Sequence, residues 1–336
     1  MTMMERPFGR TGWTVGGIGF GAWAIGGSWG EVAEGEARGA LHAALDAGVT
    51  FIDTADVYGD GRSERIIRDV LRERGVLDAM PGEGRPVVAT KLGRRLDPHV
   101  PEGFTAETMA AFLDRSRENL GMETLDLVQL HCPPTPVYYR PDVFHALDRL
   151  KETGVIRHYG VSVEKVEEGL KAIEFPGVAS VQVIWNMFRQ RPAELFFPRA
   201  RDKGVAIIAR VPLASGLLTG KITRETTFAA DDHRRFNRHG EAFDVGETFS
   251  GVPFDVALGA VEELRRILPE GPMAEWALRW CLMDEAVTVA IPGAKTPQQA
   301  RANAAAGGRP ALPDRVMDEV RDLYRTRIAP HVHHLW

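Results

Sequence analysis

A chain of 336 residues that is 44% hydrophobic and 26% charged has the make-up of an ordinary globule with a sizeable core, not of a disordered chain. Its formal net charge of -5, with no long basic run, gives no electrostatic reason for a nucleic-acid or anionic-membrane partner. The two cysteines, Cys132 and Cys281, stand far apart and in no CxxC pair, and the N-terminus has no basic start leading into an apolar signal core; together these argue against a disulfide framework or a structural zinc site and point to the cytoplasm.

In chain order, the first predicted element is a β-hairpin around Phe8-Gly-Arg-Thr-Gly-Trp-Thr-Val15, where turn residues separate short β-prone pieces. Short apolar runs then recur: Ile18 to Trp23, Thr50 to Asp53, Val87 to Thr90, Leu125 to His131, Val155 to Val161, Val178 to Ile184, Val205 to Ala209 and Ala286 to Ile291. Segments of helical period lie between them, at Gly35 to Ala47, Ser63 to Arg74, Ala106 to Leu120, Val143 to Thr153 and Ala193 to Lys203. Gly48, Gly75, Gly121, Gly154 and Gly204 stand where left-handed C-caps would stop these helices. The alternation predicts an α/β fold, a (β/α)8 TIM barrel over residues 1–336 as one domain, with the N-terminal hairpin outside the barrel plugging its bottom. The stretch from Val211 to Pro253, after strand 7, is too long for an ordinary connection and is crowded with His233, Arg234, Arg235, Arg238 and His239; loops of that length are functional or disordered. Pro313 to Arg327 reads as a further helix, followed by an aromatic, histidine-rich end.

Barrels of this class gather their chemistry at the carboxyl ends of the strands. Asp53 ends the second run, Tyr58 follows in the loop, Lys91 comes directly after the third run and His131 ends the fourth. Each alone has an ordinary explanation: a helix-capping acid, a packed loop aromatic, a solvated lysine, a core histidine. Together they contain what a carbonyl reduction needs. A phenol with an ordinary pKa of about 10 is a poor proton donor at neutral pH, and a neighbouring ammonium lowers that value. Lys91 is expected to do so by roughly two or three units, with Asp53 holding Lys91 and His131 orienting the carbonyl oxygen.

The segments FIDTADVYG, VVATKLG and DLVQLHCP resemble the three catalytic blocks of the aldo-keto reductase family, and RPFGRTGWTV resembles its opening hairpin. The resemblance implies the same barrel, NAD(P)H-dependent interconversion of carbonyl and alcohol, and Asp53, Tyr58, Lys91 and His131 as catalytic residues with Tyr58 the general acid/base. YGVS, VQVIWN, VPLASGLLTGK and IPGAKTPQQARAN resemble cofactor-binding segments. By that resemblance Ser162 and Gln182 hold the nicotinamide amide, with Ala22, Trp23 and Arg210 nearby. Pro212, Leu213, Gly216, Leu217 and Lys221 run along the pyrophosphate, and Gly293, Lys295, Gln299 and Asn303 meet the adenosine. Arg210 stands where many relatives stack an aromatic on the nicotinamide, and Val163 where some carry asparagine. Gly293, Ala294 and Gln299 replace the Lys, Ser and Arg that grip a 2′-phosphate in many relatives, a task left to Lys295 or the arginines of the long loop. NADP(H) is the preferred cofactor, NAD(H) the other; the substrate is a small aldehyde, ketone or sugar, and no metal is expected.

The Gly19-Phe-Gly21-Ala-Trp-Ala24 segment fits a loose dinucleotide pattern, but Ile25 to Gly30 is too rich in glycine for the helix that pattern requires, so a tight loop is predicted, with Trp23 or Trp29 walling the substrate pocket or merely packed. Gly216 to Lys221 lacks the spacing of a phosphate loop. Two rival readings remain. A metal-dependent barrel hydrolase would use Asp53, Asp56 and His131 as ligands, although no HxH pair ends a strand. A redox-sensing regulatory subunit would keep the barrel and cofactor, as channel β subunits resembling this family do.

Overall fold

In the structure, a computed structural model describing residues 3–27, 29–30 and 32–336, all eight apolar runs become strands of one parallel sheet. After the hairpin β1 (Glu5–Pro7) and β2 (Thr14–Gly16) come β3 (Phe20–Gly21), β4 (Phe51–Asp53), β5 (Val87–Leu92), β6 (Leu125–His131), β7 (Ile156–Ser162), β8 (Val178–Ile184), β9 (Ala206–Arg210) and β10 (Val287–Ala290). Each pairs with the next in sequence order from β3 to β10. Parallel bridges Ile18↔Ala290 and Gly21↔Gly293 join the first strand to the last, closing the (β/α)8 ring. Glycine at position 21 is required there, because a Cβ would sit 2.6 Å from the Ile291 carbonyl oxygen.

Period-two alternation explains the inside of the barrel. Phe51, Val87, Ala89, Leu127, Ala206, Ile208 and Val289 form an inner apolar cluster that the hairpin residues Phe8 and Val15 join from below, Phe8 stacking on Phe51 at 5.3 Å. The hairpin therefore plugs the bottom as expected. Two or four residues further along the same inward faces, the side chains turn polar: Asp53 on β4, Lys91 on β5, Gln129 and His131 on β6 and Arg210 on β9, joined by Ser162 on β7 and Gln182 on β8, all buried. The outward faces pack against the surrounding helices in a second, larger core.

Helices Glu34–Asp46, Arg62–Glu73, Ala106–Leu120 and Pro141–Glu152 stand where the periodicity puts them, and all five predicted C-cap glycines have positive φ, from 62° at Gly204 to 86° at Gly48. The helix expected from Ala193 is a correction. A 3-10 turn at Arg191–Ala193 precedes a helix that runs only over Phe196–Asp202. Pro198 has no N–H and is tolerated only in a first turn, so the helix cannot begin much earlier. The Gly19 to Gly30 segment holds a single helical turn, Trp23–Gly26, and no dinucleotide-type helix follows it. The long segment after β9 is built of short turns, Ala214–Thr219, His233–Phe236, Val245–Glu247 and Phe249–Gly251, and lies across the mouth of the barrel. Helix Asp314–Leu323 continues as a π-turn over Tyr324–Ile328. Among the described residues no helix is long and apolar enough to cross a membrane.

Candidate active site

A cavity of about 910 Å³ opens at the carboxyl ends of the strands. At its floor the Lys91 ammonium is fixed by three acceptors: Asp53 Oδ1 at 2.6 Å, the Thr54 carbonyl at 2.8 Å and the Tyr58 hydroxyl at 3.3 Å. Burial works against the lysine's charge, but Asp53 and Tyr58 hold its pKa above the ordinary lysine value. For Tyr58 the balance differs from the sequence expectation. Burial pushes the phenol up, and Lys91 pulls it down as foreseen without winning. The Tyr58 ring lies between Trp23, stacked at 6.0 Å, and His131, edge-on at 5.8 Å. Burial first, then the positive charges of Arg94, Lys91 and Arg210, holds His131 well below the ordinary histidine range, so the imidazole is neutral at neutral pH. Its Nδ1 is buried and has no hydrogen-bond partner.

Two glutamines support this arrangement. Gln182 Nε2 donates to Asp53 Oδ2 at 2.7 Å and to Gln129 Oε1 at 3.2 Å, and Gln129 Nε2 donates to the same carboxylate oxygen at 3.1 Å. The NH2 group of Gln182 thus serves the carboxylate that holds Lys91. Gln129 was missed in the sequence, although it stands two residues before His131 on the same strand and so faces the same way.

Trp23, Ser162, Arg210, Pro212, Leu213, Gly216, Lys221, Gly293, Lys295, Gln299 and Asn303 all line the cavity. Two expected residues do not: Leu217 is packed in the core, and Ala22 is buried behind the wall with its carbonyl accepting from Ser63. The last strand's loop is stiffened by its own bonds, Gln299 Oε1 accepting from Lys295 N–H at 2.8 Å and Asn303 Nδ2 donating to the Gly293 carbonyl at 3.1 Å. Of the long-loop arginines, Arg234 reaches the cavity, lying over the Trp29 ring at 4.9 Å, and the Lys295 ammonium donates to the Trp29 carbonyl. His233 is buried among Trp23, Trp29 and Phe243.

Arg210 does not behave as a free cation. It is paired with Glu247 from the long loop and donates to the Val163 carbonyl at 2.8 Å; burial works against its charge, but Glu247 together with the other acidic neighbours, Glu164 and Asp244 among them, holds its pKa above the usual arginine value. Val163 contributes that carbonyl, a role for which its side chain is irrelevant.

Asp56 is not a partner of Asp53 and His131 in any metal-like cluster; among the described residues the one group with ligand-like spacing is Cys132, Glu164 and Glu247. Asp56 is fully buried, neither of its carboxylate oxygens has a hydrogen-bond partner among the described residues, and burial together with the nearby Glu64 pushes it up to about 7. A raised folded-state pKa means that the proton is held in the native state between the unfolded value near 4 and about 7. The stabilising effect is complete below pH 4 and lost as pH climbs through 7. Asp56→Asn should therefore gain stability over the wild type with a slope of about 1.4 kcal/mol per pH unit across that window and level off above it. Urea melts at pH 5, 6, 7 and 8 would read this difference, and a gap that does not change with pH would refute it.

The sequence profile of the aldo/keto reductase family matches residues 17–325. The aldo-keto reductase YhdN of Bacillus subtilis (strain 168) is 31% identical over 292 residues, 85% of this chain and 83% of that protein. A probable voltage-gated potassium channel subunit beta of Arabidopsis thaliana is 27% identical over 97% of this chain and 98% of its own length. The solved structure of a glycerol dehydrogenase from Gluconobacter oxydans superposes with a TM-score of 0.72 at 28% identity, covering 95% of this chain and 93% of that one. With the barrel and the cavity already in place, these likenesses show that the chain belongs to the aldo/keto reductase family and is an NAD(P)-dependent oxidoreductase acting on CH–OH or C=O groups.

Proposed function

We propose that this protein reversibly interconverts a small carbonyl compound and its alcohol, with Tyr58 as the general acid/base and NADP(H) as the preferred cofactor. The observation that carries this reading is the Tyr58 hydroxyl 3.3 Å from a Lys91 ammonium that is itself locked to Asp53. The residues around the cavity fit a dinucleotide. Glycines 216 and 293 leave backbone open to it, Lys221, Arg234 and Lys295 bring positive charge, and the protein-side donors at the other end sit on the strand ends. When bound, the reduced nicotinamide supplies hydride to the carbonyl carbon. Tyr58 gives its proton to the carbonyl oxygen, and Lys91 stabilises the phenolate left behind. Neutral His131 presents an N–H to the same oxygen, a donor rather than a second charge, and so orients the carbonyl. Gln129 and Gln182 keep Asp53, and through it Lys91, in place. In the direction of alcohol oxidation Tyr58 takes the proton back. Lys295 and Arg234, which is itself paired with Asp232, are close enough to influence each other on the cavity wall and would be the groups to meet a 2′-phosphate in the absence of the usual Lys, Ser and Arg.

The β-subunit relative, matched along nearly its whole length, supports a second reading in which the same cofactor-loaded barrel serves as a redox-sensing subunit. Titration of the purified protein with NADPH and with NADH by fluorescence, followed by addition of 4-nitrobenzaldehyde and observation of nicotinamide absorbance at ~340 nm, separates the two. Tighter binding of NADPH with turnover is the expected result. Binding without turnover of this or any other reactive aldehyde favours the sensor, and no binding of either nucleotide overturns both.

A further inference from the structure

Around the cavity, charge is unevenly satisfied. In the ring of strands β5 stands opposite β9, so Arg94, in the turn just after β5, enters the cavity from the side facing the segments that follow β9 and β10. Its guanidinium is the largest charge acting on His131 and lies over the Phe243 ring at 5.9 Å. It is therefore beside the carbonyl-orienting end of the pocket, where Phe243 and Glu247 of the long loop come across to meet it. Its acidic neighbours are Glu164, 3.1 Å from Nη2, and Glu247 at 4.0 Å. Glu247 belongs more closely to Arg210. Glu164 is only partly ionised at neutral pH, because burial and then Asp244 push it up to about 7. The Nε of Arg94 is buried without any partner. Burial works against the Arg94 charge, but its acidic neighbours, Glu247 and Glu164 among them, hold its pKa above the usual arginine value, so Arg94 stays a cation with one N–H unengaged, in a partly accessible position on the wall of the cavity.

We propose that Arg94 is a specificity-determining residue whose guanidinium binds a carboxylate carried by the substrate, making aldehyde acids and oxo acids, rather than neutral carbonyl compounds, the preferred substrates of this site. The inference rests on the reductase reading above. Arg94 already donates to one carboxylate, that of Glu164, and a substrate carboxylate takes over that contact while Glu164 keeps a proton. A cation at the Cys132, Glu164 and Glu247 group is the competing idea. It is disfavoured because two guanidinium groups already face those glutamates, and burial pushes the Cys132 thiol up and keeps it protonated. Phe243 and Trp23 provide the apolar walls for the body of such a substrate.

The test compares kcat/KM for 2-, 3- and 4-carboxybenzaldehyde with that for the corresponding methylbenzaldehydes, in wild type, Arg94→Gln and Arg94→Lys. The wild type should favour at least one carboxylated isomer by about tenfold or more, the scale of one charge-assisted contact. Arg94→Gln should bring that ratio to about one through KM, and Arg94→Lys, which keeps the charge and loses the planar fork, should fall between. A wild-type ratio near one for every isomer, or a ratio that survives in Arg94→Gln, overturns the proposal; if Arg94→Gln does not fold, the ratio in Arg94→Lys decides in its place. Failure of the wild type to reduce either series would sink the reductase reading instead. Equilibrium binding of benzoate, measured against benzamide, would then decide the anion subsite on its own: saturable binding abolished by the Arg94 change supports it, and none refutes it.

Discussion

Tyr58→Phe is expected to bind nicotinamide cofactor as the wild type does and to lose about two to four orders of magnitude in kcat, the usual contribution of a positioned general acid. The substitution removes one oxygen. The ring keeps its stacking on Trp23 and its edge contact with His131, and Lys91 keeps Asp53 and the Thr54 carbonyl as acceptors. No structural reason for a loss of cofactor affinity arises, whereas the proton that must reach the carbonyl oxygen has lost its source. His131 cannot replace it. Its neutral imidazole, held neutral by burial and three cationic neighbours, orients but is a far weaker acid than an imidazolium. Paired measurements of cofactor affinity by fluorescence and of turnover with 4-nitrobenzaldehyde give the answer; undiminished turnover would remove Tyr58 from its role, and a parallel loss of binding would make its effect structural.

That Tyr58, Lys91, Asp53 and His131 meet at one end of the barrel is legible in the sequence for a simple physical reason. Each lies at or just past the end of an apolar run, and parallel strands in a closed ring bring their carboxyl ends together whatever their separation in the chain. The eight runs themselves were readable because strands buried on both faces are continuously apolar. What the sequence did not disclose depends on cross-chain geometry. Gln129 looks like an interruption of an apolar strand until Asp53, 76 residues away, is seen to accept its amide proton. Lys91 does pull the Tyr58 phenol down, but burial pushes it up by more, because pairwise charge can be read from residue types while the depth of burial cannot. Arg210 announced itself as a departure, yet its partner Glu247 sits in a 3-10 turn of the long loop that no periodicity marks. Leu217 and Ala22 fall within segments that match the family yet are packed in the core, since a segment resemblance says nothing about how each side chain is buried.

Trp336→Ala is expected to loosen the long loop and through it the substrate end of the pocket. The sequence shows only an aromatic closing a histidine-rich end. In the fold the indole N–H donates to Asp244 at 3.0 Å, the Arg189 guanidinium lies 4.1 Å over the ring, and Trp336 is buried. The ring fits because positions 246 and 251 are glycine; a Cβ at Gly251 would come within 2.5 Å of it. This same short segment carries Glu247, which pairs with Arg210, and Ser250, which accepts from Asn186 at 2.9 Å. Removing a buried tryptophan costs about 3–5 kcal/mol where the surroundings cannot collapse. Here the gap opens beneath a short loop at the barrel rim that is anchored separately by buried Phe249 and by the Glu247 and Ser250 contacts, so the cost falls on local opening more than on global unfolding. Hydrogen exchange across residues 239–252 should therefore rise by orders of magnitude in Trp336→Ala while the strands stay protected, and KM should increase more than kcat falls, because Tyr58, Lys91, Asp53 and His131 stand on the other side of the mouth and are not touched by the indole. Unchanged exchange in that segment would show that the Arg210–Glu247 pair and the serine contacts hold the loop without the tryptophan. Uniformly faster exchange throughout the barrel would show that Trp336 supports the whole fold rather than the wall of the site.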